Sequence, residues 1–512
     1  MNRRFSTLTF AFLLVALSAV SFAAGAATKS DGPEANQSED VYKYMKPFVD
    51  VLTIIQQKYV DEDKTHTKDL IYGAIQGMVA TLDPFSQFMT PDDYKDMETE
   101  TAGKFGGLGI EIAEKDDILT VVSPIEGTPA DKAGIKSGDE IIKIGDKSTE
   151  GMTIDAAVKL LRGDIGTKVT ITVKRAGLGE PFDVTLTRDA IKIESIHSYL
   201  LPGDIGYVRI SEFIDNTTDD FVKAVNDLEK KEKLKGLIVD LRNDPGGLLN
   251  EAIGVSDFFT PEGKIIVSTK GRTPDSQEQF RASAGEKFDP AKPVVVMING
   301  GSASGAEIVS GCLKDWKRAV LIGEKSFGKG SVQTILPLDD SDGAALRLTM
   351  AKYYTPSGVC IHGVGIEPDL DLNDKDLTES TLKVYAKQDV EKYAKILQKA
   401  GVTATAEAPL DDKTMEKFID WCMKTEKKMD RDELEKDKVY LHDSLTVELI
   451  SDIQGGMPAR EAAVLIDPQV AIAKELINDD NHIPAALLAK YPPKKLDTSK
   501  ELKLNKPDDP EN

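Results

Sequence analysis

One stretch decides the fold class: Gly236-Leu-Ile-Val-Asp-Leu-Arg242, a largely apolar run that ends in the polar-glycine loop Asn243-Asp-Pro-Gly-Gly247. Such a run is typical of a strand that is buried on both faces of a sheet. A second run, Pro293-Val-Val-Val-Met-Ile298, ends in a similar loop, Asn299-Gly-Gly-Ser-Ala-Ser-Gly305, and a helical stretch separates the two. Strands that alternate with helices from residue 206 to residue 365 predict an α/β core with some parallel pairing. In such sheets functional residues gather where strands end.

A smaller unit, built mostly of strands with two helices, precedes this core. It begins with the glycine-rich stretch Phe105-Gly-Gly-Leu-Gly-Ile110, continues through Pro129-Ala-Asp-Lys-Ala-Gly-Ile-Lys-Ser-Gly-Asp-Glu-Ile141 and contains a late amphipathic helix at residues 153–161. These features, in this order, resemble a PDZ domain. A plain strand turn is the alternative interpretation of the glycine-rich stretch.

The resemblance to a PDZ domain implies a site for the end of a peptide. A glycine-rich loop leaves backbone N–H groups free to hold a terminal carboxylate, and the strand that follows can accept a peptide by β-addition. The predicted peptide-carboxylate site is therefore formed by Leu108, Gly109 and Ile110.

The rest of the chain is predicted to be helical or disordered, which gives a multidomain protein of α+β and α/β class. Apolar residues at three-to-four spacing favour helices between residues 41 and 98, and charged amphipathic helices follow the core. The predicted boundaries are a signal peptide at 1–26, a disordered leader at 27–40, an N-terminal helical region at 41–98, the PDZ-like domain at 99–188, the core at 189–373 with parts of 80–98, a C-terminal helical region at 374–490 and a disordered tail at 491–512.

The N-terminus predicts export. A basic start, an apolar run from Leu8 to Phe22 and the A-x-A site Ala24-Gly-Ala26 are typical of a secretory signal peptide. An uncleaved anchor is the alternative, since the run approaches the length that spans a bilayer. We expect the protein in the bacterial periplasm, and an uncleaved segment would hold it at the inner membrane.

Charge and cysteine usage exclude several function classes. The formal net charge is −22 and no basic stripe occurs, so the sequence excludes a nucleic-acid-binding protein. The three cysteines (Cys312, Cys360 and Cys422) allow at most one disulfide and fit no zinc motif. Cys312 lies on the apolar face of a predicted helix and is expected to be a core residue. We expect neither a metal nor a cofactor.

Ser304 is the candidate nucleophile because it stands between a buried strand and a helix. A serine at such a turn can be exposed at the sheet edge, where the helix N-terminus offers N–H groups to an oxyanion. Ser304-Gly-Ala-Glu307 also fits the S-x-x-E capping box, in which the hydroxyl only caps the helix. On this loop alone, the two interpretations stand equal.

A nucleophilic serine needs a base, and none of the five histidines has a local context that marks it as one. A lysine can serve if burial lowers its pKa. The run Gly323-Glu-Lys-Ser-Phe-Gly-Lys-Gly-Ser-Val-Gln333 offers Lys325 and Lys329. In an extended segment positions 329 and 333 face the same side, so Gln333 could orient Lys329. Without a partner motif, Lys329 would be an ordinary surface lysine.

The motifs taken together resemble the C-terminal processing peptidases, also called tail-specific proteases. The resemblance covers roughly residues 45 to 370 in the family's domain order. The motifs that carry it are Gly301-Ser-Ala-Ser-Gly-Ala-Glu307, the run from Gly323 to Gln333, Asp240-Leu-Arg-Asn-Asp-Pro-Gly-Gly-Leu-Leu249, Tyr353-Tyr-Thr-Pro-Ser-Gly358, Gly363-Val-Gly-Ile-Glu-Pro-Asp369 and Leu82-Asp-Pro-Phe-Ser-Gln-Phe-Met-Thr-Pro91.

This resemblance implies a serine endopeptidase with a crotonase/ClpP-like α/β core and a Ser–Lys dyad of Ser304 and Lys329, oriented by Gln333. It also implies an oxyanion hole built from backbone N–H groups, those of Gly246, Gly247 and Gly305. Two positions depart from the family pattern: Ala306 stands where a serine is frequent, and Phe85 where a histidine is frequent.

The expected partners are proteins or peptides with apolar C-termini. A homo-oligomer and an adaptor protein are further partners that the sequence leaves open. The helical flanks suggest oligomerisation, but packing of these helices on the core is an equal alternative. Two other function classes remain at this point. One is a peptide-binding scaffold without catalysis. The other is a crotonase-like enzyme that acts on acyl-CoA, and the predicted export signal argues against such a substrate.

Overall fold

The computed structural model describes residues 33–115, 118–125, 127–136, 138–175, 178–283, 287–338, 342–372, 377–425 and 429–479. The predicted signal peptide and the predicted C-terminal tail lie outside the described residues. The chain divides into two units, with the boundary between Met78 and Val79.

The first unit is helical, and its helix begins earlier than the sequence predicted. It contains α1 (Pro33–Lys58), a 3-10 turn (Glu62–Lys64) and most of α2 (Thr67–Ala80). Helix α1 begins within the range 27–40, for which the sequence predicted a disordered leader. Proline at the first helical position and acidic residues close behind it suit a helix start, which explains the earlier boundary.

The second unit begins with β1 (Gln87–Met89) and α3 (Pro91–Thr101) and continues into the predicted PDZ-like domain. That domain holds one six-stranded sheet and a two-stranded ribbon of its first and last strands. Since the last strand ends at Lys192, the domain extends slightly beyond the predicted boundary at 188. Its elements are β2 (Lys104–Gly107), β3 (Ile110–Lys115), β4 (Ile118–Pro124), α4 (Pro129–Lys132), β5 (Glu140–Ile144), β6 (Lys147–Ser148), α5 (Ile154–Leu161), β7 (Lys168–Lys174), β8 (Phe182–Thr187) and β9 (Asp189–Lys192).

The α/β core follows, and it contains two sheets. Its elements are β10 (Ile196–Leu201), β11 (Ile205–Ile210), α6 (Thr217–Lys231), β12 (Gly236–Asp240), α7 (Leu249–Asp257), β13 (Ile265–Gly271), a 3-10 turn (Pro274–Ser276), β14 (Glu278–Arg281), β15 (Val294–Ile298), α8 (Gly305–Asp315), β16 (Val320–Gly323), β17 (Ser331–Pro337), β18 (Ala345–Tyr354) and β19 (Leu370–Asp371). The main sheet has the order β10-β11-β12-β15-β16-β19 and is parallel except for β10. The other sheet is antiparallel, with the order β1-β18-β13-β14 and β17 paired to β18.

The two apolar runs that predicted the core form adjacent parallel strands, β12 and β15, in which every residue is buried. Alternate side chains point to opposite faces. Val239 and Val296 pack with α8 on one face, while Ile238 and Met297 belong to a second cluster on the other. The mixture of a parallel α/β core with a separate strand-rich domain and helical flanks confirms the predicted fold class.

The C-terminal region is helical, and its last helix belongs to the core. The region contains α9 (Glu379–Ala386), α10 (Asp389–Lys399), α11 (Asp412–Thr425), α12 (Arg431–Lys436), α13 (Lys438–Gln454), α14 (Gly456–Ile466) and α15 (Pro468–Asn478). Most of these helices share their own apolar cluster. Helix α15 instead covers the second face of the main sheet with Val470, Ala473, Leu476 and Ile477. The predicted boundary after residue 373 thus separates α15 from the sheet that it covers.

An ion-pair network fixes the start of α15 to the end of β12. The Asp467 carboxylate accepts hydrogen bonds from the N–H groups of Gln469 and Val470, and so caps the helix. The same side chain lies 2.7 Å from the Arg242 guanidinium, which also binds the fully buried Asp240. The C-terminal helix is therefore linked to the loop that follows β12.

None of the helices in the described ranges is long and apolar enough to cross a membrane.

Truncation of one side chain in this interface should destabilise the whole core. Leu476 has no exposed surface, and Leu476→Ala is expected to lower the free energy of unfolding by about 3 kcal/mol, because it leaves a cavity against the sheet. Urea denaturation would measure the loss. The matched control is Glu475→Ala, at an exposed position on the same helix. Equal midpoints for the two variants would contradict the packing of α15 described above.

Candidate active site

Ser304 occupies a strained turn between β15 and α8. Its φ of 50° is unusual for a residue other than glycine, since it brings Cβ close to the backbone. Ser304 is partly exposed, whereas Ala303 before it and Gly305 after it are buried. The strand-to-helix turn therefore presents this serine at the edge of the sheet, beside the first N–H groups of α8. That position suits a nucleophile.

The Glu307 carboxylate connects the serine turn with the loop that carries Lys329. The side chain is fully buried and accepts four hydrogen bonds. The donors are the Ser304 N–H (2.9 Å), the Ser326 hydroxyl (2.5 Å), the Gly328 N–H (2.7 Å) and the Lys329 N–H (2.8 Å). Burial raises the pKa of the Glu307 carboxyl, and the hydrogen bonds oppose that shift. Because Ser304 and Lys329 donate to the same oxygen, Oε2, their backbones are close neighbours.

Sequence reasoning did not find this role of Glu307. The S-x-x-E spacing indicated a capping box, and the bond from the Ser304 N–H to Glu307 is part of that arrangement. The bonds to residues 326–329 are long-range contacts of a second loop, and nothing in the local pattern signalled them.

Lys329 is half-buried beside an aromatic ring. Its Nζ lies 5.6 Å from the centroid of the Phe85 ring, and that ring meets His362 edge to face at 6.3 Å. Burial lowers the pKa of the Lys329 ammonium below its usual 10.5; the nearby Arg347 adds to this shift and Glu307 opposes it. This direction is the one that a lysine base requires.

The two dyad candidates share the Glu307 carboxylate, but their reacting atoms are not hydrogen-bonded to each other in the described part of the chain. No hydrogen bond joins Lys329 Nζ to Ser304 Oγ or to Gln333 within the part of the chain that the structure describes. The amine rests against Phe85 instead. Lys325, the other candidate of the same loop, forms an ion pair with Glu367 at 2.8 Å and has a largely exposed side chain. Of these two lysines, Lys329 is the one on the Glu307 network.

Gln333 lies on β17 but its amide points to other partners. Its Nε2 donates to Ser331 Oγ at 2.7 Å and to Thr349 Oγ1 at 3.4 Å. The sequence predicted that simple alternation would bring Gln333 onto the side of Lys329. Gln333 shares one face of β17 with Ser331, as alternation requires, but β17 begins only at Ser331. Lys329 therefore precedes the strand, and the alternation does not extend to it.

The predicted oxyanion turn packs directly on the serine. A methyl group added at Gly246 would lie 2.6 Å from Ser304 Cβ and 2.6 Å from the Gly305 nitrogen, so only glycine fits. The Gly246 N–H donates to Asp244 Oδ1 at 2.8 Å. Gly247 bridges to Phe213 through its neighbours' backbone groups. The Gly246 N–H is therefore already bonded within the turn, and Gly247 and Gly305 remain the predicted oxyanion donors.

The predicted peptide-carboxylate loop lies at the mouth of an apolar groove. Gly109 has a φ of 72°, which glycine adopts without strain, between the buried Leu108 and the start of β3 at Ile110. A small cavity of about 90 Å³ opens beside it, between β3 and α5. Its apolar lining includes Leu108, Ile110, Ile112, Val158 and Leu161. This groove has the form that β-addition of a peptide requires.

The three cysteines are free thiols, and two of them are buried. Cys312 is fully buried in the core, as predicted. Burial raises the pKa of its thiol to about 12, which makes it unreactive. Within the described ranges, no group of three or more His, Cys, Asp and Glu side chains is arranged to hold a metal ion.

Known families and relatives account for this arrangement. Residues 204–372 match peptidase family S41, residues 120–175 match the PDZ domain, and residues 9–93 match the activating protease CtpB N-terminal domain. A carboxy-terminal-processing protease of Bartonella bacilliformis is 46% identical over 341 residues, which cover 65% of this chain and 76% of the relative. The chain belongs to peptidase family S41. It is therefore a serine peptidase of the carboxy-terminal processing type with a PDZ domain.

Two further proteins are similar to this S41 peptidase. The carboxy-terminal processing protease CtpA of Bacillus subtilis is 39% identical over 341 residues, 66% of this chain and 72% of the relative. A photosystem II D1 C-terminal processing protease of known structure is 29% identical, with 65% of this chain and 93% of that one covered and a TM-score of 0.39. Membership of family S41 leaves no support for the acyl-CoA enzyme or the scaffold without catalysis.

Proposed function

We propose that this S41 peptidase acts in the bacterial periplasm, binds the C-terminal end of a substrate protein in its PDZ groove, and cleaves it with a Ser304–Lys329 dyad. One observation carries the dyad: the backbones of Ser304 and Lys329 are bonded to the same carboxylate oxygen of Glu307. The predicted signal segment at residues 1–26 supports the periplasmic location.

The PDZ groove supplies the first step. Free backbone N–H groups of the loop at residues 108–110 bind the terminal carboxylate, and the last residues of the substrate add as a strand beside β3. The apolar lining of the groove favours an apolar last side chain, because burying it releases water from both surfaces.

Acyl transfer then takes place at Ser304. Neutral Lys329 accepts the hydroxyl proton as Ser304 Oγ attacks the peptide carbonyl, and the N–H groups of Gly247 and Gly305 stabilise the oxyanion. The lysine ammonium gives its proton to the leaving amine. Lys329, neutral again, then activates the water that hydrolyses the acyl-enzyme, which restores Ser304.

Lys329 must move before it can act. In the structure its amine lies over the Phe85 ring, and we propose that a rotamer change of this flexible side chain forms the bond to Ser304. A bound substrate that fills the space beside Ser304 would exclude water and favour the neutral amine.

Recognition of the substrate end provides the test. The full chain is incubated with an unfolded substrate that ends in apolar residues with a free carboxylate, and with the same substrate carrying a C-terminal amide. We expect kcat/KM for the amide to be about tenfold lower, because one charge-assisted hydrogen-bond set is lost. Ser304→Ala serves as the blank.

A groove variant makes the same test sharper. Val158→Asp places a carboxylate in the apolar groove and should reduce cleavage of the free-carboxylate substrate by about tenfold or more, mainly through KM. Ala156→Asp, an exposed position on the same helix, is the matched control. Equal rates for both substrate ends and for both variants would show that the PDZ domain does not select the substrate.

A further inference from the structure

Asp244 lies at the centre of the oxyanion turn, and the mechanism above does not use it. Its side chain has no exposed surface. Oδ1 accepts the Gly246 N–H at 2.8 Å, and the Asp244 carbonyl oxygen accepts the Ala303 N–H at 2.8 Å. Asp244 thus bonds to both chain segments that contact Ser304, the glycine turn on one side and the serine turn on the other.

The second carboxyl oxygen is buried without a partner. Within the described part of the chain, Asp244 Oδ2 has no hydrogen-bond partner. A buried, ionised carboxylate with one free oxygen is strongly disfavoured, whereas a neutral carboxylic acid is tolerated. The contacts at this position therefore suit the protonated side chain.

The surrounding charges do not neutralise Asp244. Arg209 of β11 is the nearby cation, but it lies 3.6 Å from Asp240, to which Arg242 is also bonded. Glu212, which follows β11, and Asp240 of β12 both repel a second negative charge. Burial, reinforced by these two carboxylates and opposed by the Gly246 N–H and Arg209, raises the pKa of Asp244 to about 8.

We propose that Asp244 is a positioning residue that holds the Gly246–Gly247 turn as a neutral acid, and that its ionisation switches the oxyanion hole off. The proposal rests on the proposed function of Ser304 as nucleophile. Oδ1 accepts the Gly246 N–H in both protonation states, so the turn keeps its shape. What changes on ionisation is the charge of Asp244: a negative charge then lies in the turn that faces the developing oxyanion. Like charges in a buried site repel strongly.

Two groups then control the rate in opposite directions. Lys329 must lose its proton to act as the base, so the rate rises with pH through the lysine titration. Asp244 must keep its proton, so the rate falls as the pH passes about 8. The proposal predicts a bell-shaped pH dependence of kcat/KM, with the alkaline limb due to Asp244.

The test compares the wild-type chain with Asp244→Asn between pH 6 and pH 10. The substrate is a peptide in which no group titrates within this pH range. Asparagine keeps an acceptor for the Gly246 N–H but cannot ionise. We expect the variant to lose the alkaline limb, so that its rate relative to wild type increases by about tenfold or more from pH 7 to pH 10. Asp275→Asn, an exposed position, should follow the wild-type profile. The same alkaline limb in both chains, or an equal loss at every pH, would overturn the proposal.

A second readout does not depend on peptidase activity. Asp244 binds its proton up to about pH 8 in the folded chain but only up to about pH 4 when unfolded. The folded chain therefore holds an extra proton between these values, and its stability falls as the pH rises through this window. The Tm of wild type relative to Asp244→Asn should fall between pH 5 and pH 8 and then level off. A Tm difference that stays constant with pH would show that Asp244 does not titrate in this range and would overturn the proposal. A Tm difference that changes with pH, in a wild-type chain without peptidase activity, would overturn only the proposed function.

Discussion

Replacement of Lys329 by alanine is expected to lower kcat/KM by about 10³-fold, because the general base is lost. Ser304→Ala should cost at least as much, and the double variant should be no slower than the Ser304 variant, since residues that act as one unit are not additive. Lys329→Arg should also be inactive, because a guanidinium does not release its proton in this pH range. Steady-state cleavage of an unfolded substrate with an apolar C-terminus measures all four chains.

Lys325→Ala is the matched control for the dyad. It removes a lysine from the same loop, but one that is paired with Glu367 and has no bond to the Glu307 network. Near-wild-type rates are expected for it. Burial lowers the pKa of Lys329, so the rising limb of the pH profile should have its midpoint below 10.5. Robust cleavage by Lys329→Ala would remove this lysine from the mechanism.

Glu307→Gln is expected to have the second-largest effect, although glutamine has nearly the shape of glutamate. The carboxylate accepts two donors on each oxygen, and an amide offers one oxygen only. Its NH₂ group would replace one of the two oxygens, and would then face either the N–H groups of Ser304 and Lys329 or the donors of the other oxygen, one hydroxyl and one N–H. The loss of these buried bonds should lower the free energy of unfolding by about 3 kcal/mol and kcat by about 10²-fold, because both reacting groups shift.

The kinetic pattern separates positioning from simple stability. If Glu307 positions the dyad, kcat falls in Glu307→Gln at temperatures where the variant is fully folded, while KM changes little, since the PDZ groove is untouched. Glu262→Gln, at an exposed position, should match wild type in both respects. A lower Tm with unchanged kcat in the folded variant would reduce Glu307 to a structural residue.

The local sequence predicts the parts of the site that depend on one segment. The buried runs at residues 236–242 and 293–298 are recognisable because strands covered on both faces leave no polar alternation. Ser304 and the glycine turn follow from their positions after those strands. The pairing of Ser304 with Lys329 was inferred from the order of motifs that resembles a known family. Hydrophobic periodicity does not reveal which distant loops come together.

The parts that the sequence did not predict depend on long-range geometry. Glu307 bonds to a loop that follows the next strand, β16, and Lys329 belongs to that loop rather than to β17, so strand alternation does not place it beside Gln333. Asp244 has the sequence context of an ordinary turn residue, and only the folded structure shows that its side chain is fully buried. Helix α15 has the composition of its neighbours, so nothing local distinguished the helix that covers the sheet.

The place of α15 in the chain has a consequence for the timing of maturation. The match to peptidase family S41 ends at residue 372, yet one face of the main sheet is closed by a helix that starts at Pro468. During synthesis that face therefore stays uncovered until the segment from Pro468 onward has been made, and the catalytic sheet cannot complete its packing before then.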